Sequence, residues 1–176
     1  CNNHWMALSP VFCEACGSDN IKYREVPVAN EELMITGHAD GWLKGFGDDL
    51  FLEIKSIGAG TFLWLDKTAW FGADQDFDKA WKNLTAPFES HVSQVQLYME
   101  VMRLSGVTDV PNEAVVLYEA KPNQEIKEFI VRRDAWGVQH IIDGARLVVD
   151  SLSKNIAPDC PVGGALKCKQ CEGFNE

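Results

Sequence analysis

The stretch from Gly37 to Ser56 constrains this chain most: G-H-A-D-G-W-L-K-G-F-G-D-D-L-F-L-E-I-K-S. Ile35 to Leu43 is apolar and β-prone, Gly45 to Asp49 carries turn chemistry, and Leu50 to Ile54 resumes the strand pattern. The spacing predicts a hairpin. Residues two apart on a strand project to one face, so Glu53 and Lys55 emerge together, and Asp40 on the paired strand reaches the same spot. Two carboxylates beside a lysine suit a hard divalent cation such as Mg²⁺, which keeps several waters and accepts phosphate oxygens. On its own, an E-x-K pair on a strand equally describes solvated charges.

Phe88 to Leu104 has helical periodicity, with Val92, Val95, Met99 and Met102 as the buried stripe. His91, Gln94 and Tyr98 fall at i, i+3 and i+7 on an adjacent face. That face suits either a site wall or a solvated flank, and His91 near the helix start suits capping or packing as well. Glu113 to Ala120 and Ile126 to Arg132 read as two strands around the turn Lys121-Pro122-Asn123-Gln124. Lys121, Lys127, Arg132 and Arg133 cluster near this hairpin as candidate phosphate-contacting cations, though basic residues on a strand edge also keep it soluble. Asp134 is placed to cap a helix reaching about Ser153, with Ile141, Ala145, Val148 and Leu152 buried. Asn20 to Val28 reads as a strand leading into the core, with Pro27 marking an edge or a strand end. Ile57 to Leu84 is less regular and rich in aromatics, among them Trp64 and Trp70. These side chains suit core or lid packing more than base stacking. The order of strands and helices predicts an α/β domain with a mixed sheet.

The cysteines fall at the two ends. Cys1 and His4 form a C-x₂-H, and Cys13 and Cys16 form a C-x₂-C followed by Gly17; two such knuckles around a short apolar loop have the spacing of a zinc ribbon. Cys160, Cys168 and Cys171 form a C-x₇-C-x₂-C, which in a chain expected to be intracellular argues for a metal rather than a disulfide. We read two separate sites. The competing assignment joins Cys13, Cys16, Cys168 and Cys171 in one Cys₄ zinc site.

A chain of 176 residues, 46% of them hydrophobic, fits one globular domain with a sizeable core. Acidic side chains outnumber basic ones, 26 to 16, for a net charge of −10, which argues against gripping nucleic acid by bulk electrostatics. An acidic site that needs a cation before it accepts phosphate is still compatible. The sequence lacks a long apolar run and a basic-then-apolar leader, so a soluble, cytoplasmic protein with no membrane partner is expected.

G-H-A-D-G at Gly37–Gly41, L-E-I-K-S at Leu52–Ser56 and Q-V-Q-L-Y at Gln94–Tyr98 together resemble the PD-(D/E)XK nuclease superfamily. The last fits the Q-x-x-x-Y element of its RecB-like exonuclease branch, which includes CRISPR-associated and phage-encoded members. The resemblance implies a restriction-endonuclease-like core over 20–156, a zinc-ribbon-like segment over 1–19 and a cysteine-rich metal-binding tail over 157–176. It implies a metal-dependent deoxyribonuclease of the exonuclease type, acting on DNA in a bacterial or phage-infected cell. Asp40, Glu53 and the Ile54 carbonyl would hold Mg²⁺ or Mn²⁺, Lys55 would position water, and Gln94 and Tyr98 would support them. His38 and His91 would stand just outside the ligands. The three C-terminal cysteines would hold a 4Fe–4S cluster with an upstream cysteine. The pattern departs from the family at Ala39, where proline is common. The helix expected before the first strand, with a histidine and a cysteine, is not identifiable after the opening Cys1. The alternative is a DNA-binding or assembly module that retains the fold without turnover.

Overall fold

The computed structural model describes residues 15–17, 25–43 and 48–156. Its elements run β1 (Val26–Asn30), β2 (Ile35–Ala39), β3 (Gly41–Leu43), β4 (Leu50–Ile57), α1 (Ala59–Leu65), α2 (Lys67–Gly72), α3 (Phe77–Asn83), α4 (Glu89–Leu104), β5 (Glu113–Ala120), β6 (Ile126–Arg132) and α5 (Gln139–Lys154). The result is a mixed α/β architecture with a four-stranded mixed sheet flanked by helices.

The expected first strand of the hairpin divides. β1 and β2 form a two-stranded antiparallel sheet, with Val28 opposite Gly37, and the chain bends at Asp40 before β3 joins a second sheet ordered β3-β4-β5-β6. β3 pairs antiparallel with β4, Gly41 opposite Leu52. The parallel pair β4–β5, with Glu53 beside Val116 and Lys55 beside Tyr118, needs a long crossover, which α1 to α4 supply. β6 returns antiparallel to β5.

Alternation puts Phe51, Glu53, Lys55 and Ile57 on one face of β4, continuous with Ala114, Val116, Tyr118 and Ala120 of β5. All of these are buried except Lys55, and the face lies under α4, whose Val95, Met99 and Met102 enter the same core. α4 matches its expected span, and Val101 and the polar Gln96 are buried with it. Gln96 donates to the Arg132 carbonyl and accepts the Asp134 N–H, tying α4 to the exit of β6.

Three short helices replace the irregular segment after β4. Asp66 accepts the Ala69 N–H to start α2, and Asp76 accepts the Lys79 N–H to start α3, each satisfying an otherwise orphaned donor. The last helix also differs from expectation. Asp134 accepts the N–H groups of Trp136 and Gly137 in a turn of its own, and α5 begins only at Gln139. Val138 and Ile142 then set the buried phase, leaving Val148 and Leu152 exposed. No helix among the described residues is long and apolar enough to cross a membrane.

Candidate active site

β4 carries the centre. Glu53 is only 2% exposed, and Lys55, projecting from the same face, forms an ion pair with its Oε1. Asp40 stands at the bend between β2 and β3, one position beyond the Gly41–Leu52 pair and so across from Glu53. Its Oδ2 accepts the Ile54 N–H at 2.6 Å. The hairpin therefore brings Asp40, Glu53, Ile54 and Lys55 together although its first strand is broken.

Burial pushes the Glu53 carboxyl above its ordinary range, and the neighbouring Asp40 charge adds to this, while the Lys55 and Gln94 hydrogen bonds oppose it. The two Glu53 oxygens are treated differently. Oε1 takes both the Lys55 ammonium and the Gln94 amide, at 2.9 Å from the latter. Oε2 is buried with no hydrogen-bond partner among the described residues. An unsatisfied buried carboxylate oxygen costs its desolvation unless something polar or cationic meets it. With Asp40 alongside, that oxygen has the donor chemistry of a hard divalent cation's ligand. Among the described residues no group of three or more His, Cys, Asp or Glu side chains is poised to ligate a metal. The donor set here is two carboxylates and whatever the backbone adds.

α4 forms the wall of the site. Gln94 donates its two amide protons to Glu53 Oε1 and to the Tyr98 hydroxyl, each at 2.9 Å. Tyr98 in turn packs against the backbone of Gly37, where a β-carbon would stand 3.0 Å from its Cε1. One turn before Gln94, His91 Nδ1 lies 2.6 Å from the hydroxyl of Tyr118, the residue beside Lys55 in the sheet. Burial pushes the Tyr118 phenol up to about 12, and the same burial, with the Lys55 charge, lowers the His91 imidazole below its ordinary value. His91, Gln94 and Tyr98 thus meet β5, β4 and β2 in turn, so α4 lies across both sheets. His38 is exposed on β2, facing away from the side on which Gly37 receives Tyr98.

The four candidate cations do not form one cluster. Lys121 is exposed in the β5–β6 turn, whereas Arg132 lies at the far end of that hairpin, paired with Glu113 on the surface. Arg133 is held by Glu100. Lys127 donates to the carbonyls of Trp81 and Leu84 at 2.6 and 2.7 Å, so it caps the end of α3. Of the aromatics, Trp70 is 9% exposed and stacks on Phe62, while Trp64 is 80% exposed. Cys16 is exposed, and Gly17 after it takes φ 72°, the left-handed region that favours glycine. Cys1, His4, Cys13, Cys160, Cys168 and Cys171 lie outside the described residues.

Sequence reasoning gave no role to Tyr118 and no reason for Gly37. A lone hydroxyl in the apolar run A-V-V-L-Y was the available signal for the first. For the second there was none, because Tyr98 and Gly37 meet only through tertiary packing.

No family model matches the chain, and no curated protein matches it. Among solved structures, the chain is similar to one described as "Crystal structure of SSO0001", at 17% identity and a TM-score of 0.38. The match covers 70% of this chain and 43% of that one, so the chain spans less than half the length of the solved structure it matches. A likeness at that level assigns no family.

Proposed function

We propose that the chain is a metal-dependent DNA nuclease of the exonuclease type, built on a PD-(D/E)XK core. The observation that carries the reading is the buried Oε2 of Glu53, without a partner among the described residues, next to Asp40 and on the strand face that also presents Lys55. The motif order Asp40, Glu53-x-Lys55, Gln94-x-x-x-Tyr98 supports it.

Asp40, Glu53 and the Ile54 carbonyl would hold Mg²⁺ or Mn²⁺. When bound, such an ion supplies charge neutralisation at the phosphate and a lowered pKa for the attacking water. Gln94 and Lys55 both engage Oε1, which fixes the Glu53 carboxylate and leaves Oε2 for the ion. Tyr98 fixes Gln94. Lys55, a flexible point cation, orients the water or a phosphate oxygen. The water oxygen bonds to phosphorus as the water releases a proton to solvent, the bond from phosphorus to the sugar oxygen breaks, and that oxygen leaves with a proton from solvent.

The ion pair of Lys55 with Glu53 favours one rival, a DNA-binding or assembly module in which the two charges are structural. Cleavage of end-labelled single- and double-stranded DNA with Mg²⁺ or Mn²⁺, wild type against Lys55→Ala, separates the two. Turnover lost in the variant supports the nuclease; equal rates in both, or no cleavage by either, overturn it.

The cysteine spacings extend the reading to a zinc ribbon at Cys1, His4, Cys13 and Cys16 and a 4Fe–4S cluster at Cys160, Cys168 and Cys171. Protein purified without oxygen is then brown and contains iron and zinc. A colourless protein with zinc alone favours the single Cys₄ site.

A further inference from the structure

His91 belongs to the helical wall, yet the nuclease reading gives it no task. Its ring is clamped edge-on between Phe88, 5.7 Å away, and Tyr118, 5.4 Å away, measured between centroids. The hydrogen bonds fix its tautomer. Tyr118 is fully buried, and its hydroxyl oxygen accepts the Phe88 N–H at 2.9 Å. Its own proton has one acceptor among the described residues, His91 Nδ1 at 2.6 Å. A neutral imidazole that accepts at Nδ1 carries its hydrogen on Nε2. No described residue accepts from that Nε2–H, and with the side chain half-buried the nitrogen is not among the buried unpartnered atoms, so it is solvent-accessible.

Lys55 stands next to Tyr118 across the β4–β5 pairing, so an uncharged, immobilised N–H donor and a cation share one side of the Glu53 centre. We propose that His91 is a substrate-contacting residue whose Nε2–H donates to a non-bridging phosphate oxygen of the nucleic-acid strand beside Lys55. This inference rests on the nuclease reading. A general acid would need the imidazolium, which burial and the Lys55 charge both disfavour. A neutral donor needs no proton transfer and fits a phosphate oxygen as it stands.

Two amide replacements separate the donor from a packing role. In His91→Gln the amide reaches the Nε2 position, whereas in His91→Asn it reaches only the Nδ1 position that meets Tyr118. Steady-state cleavage of DNA with Mn²⁺, with melting temperatures measured alongside, is the test. The inference expects His91→Asn to melt like the wild type but to lose about tenfold to a hundredfold in kcat/KM, as for a lost bond to a charged group. His91→Gln keeps most of the activity even where it melts lower. The inference is overturned alone if the wild type cleaves and His91→Asn matches it. It is also overturned alone if Gln is the more damaged of the two, since that order marks a packing role through Tyr118. A wild type that does not cleave at all overturns the nuclease reading and takes this inference with it.

Discussion

Tyr98 rests so closely on Gly37 that a β-carbon added to the glycine would lie 3.0 Å from its Cε1 and 3.1 Å from its hydroxyl oxygen. That hydroxyl accepts from Gln94, which in turn holds Glu53 Oε1. A strand in the two-stranded sheet is thereby linked to the carboxylate in the four-stranded sheet through two side chains of α4.

Gly37→Ala therefore reaches the centre without touching it. The methyl group displaces Tyr98 and, through Gln94, turns Glu53. A misplacement of about 1 Å far from the chemistry costs about a hundredfold in turnover, so the smaller shift that this contact demands predicts a loss of up to about tenfold. Melting temperature should move far less than the cleavage rate. An alanine variant that cleaves like the wild type would show the chain of contacts to be incidental.

The Glu53 carboxyl also predicts a pH dependence of stability. Its folded-state pKa lies above the ordinary value of 4.5, so the folded protein binds the proton more tightly than the unfolded chain does. Stability from this group is fully present below the ordinary value and is lost as pH rises through the raised one. Metal-free wild type should then lose stability relative to Glu53→Gln between those two points, measured by denaturant melts across acid pH. The opposite slope in the difference would mean that the pair with Lys55 outweighs burial.

Lys127 and Lys121 should part company. Lys127 is engaged by the carbonyls at the end of α3 and lies over the Trp81 ring at 5.3 Å. Lys127→Ala should destabilise the fold by about 1.5–3 kcal/mol, the range for bonds to a charged group, with little change in the salt dependence of DNA binding. If Lys121 contacts phosphate, Lys121→Ala lowers the salt slope by about one unit and leaves the melting temperature in place. Denaturant melts and salt-titrated DNA binding read the two effects separately.

These contrasts mark what the sequence could reveal. Period-two alignment of Glu53 and Lys55 and the apolar spacing of α4 are local signals, and both elements fall where they point. The break at Asp40 carries a local signal, the turn-prone pair Asp40-Gly41, but that pair alone does not reveal that the strand changes pairing partners there. The phase of α5 departs from the expected one because its first turn lies elsewhere. Asp134 has the chemistry of a helix cap but is used in a preceding turn, which moves the helix start and rotates the buried face to Val138 and Ile142. Lys127 looks like any surface lysine on a strand until α3 ends over it. For the site, residue types and order were visible; the pairings Gln94–Glu53, Tyr98–Gly37 and His91–Tyr118 depend on how α4 lies across two sheets.

The central claim is that the carboxylates of Asp40 and Glu53 hold one divalent ion between them. Calorimetric titration of Mn²⁺ into chelator-treated wild type, Asp40→Asn and Glu53→Gln tests it most directly, with melting temperature as a second readout. Glu53 and Asp40 as ligands predict one site in the wild type, lost in either variant, and stabilisation by about 2.7 kcal/mol at a hundred times Kd that only the wild type gains. Equal Mn²⁺ binding by all three proteins, with or without cleavage, would contradict the account.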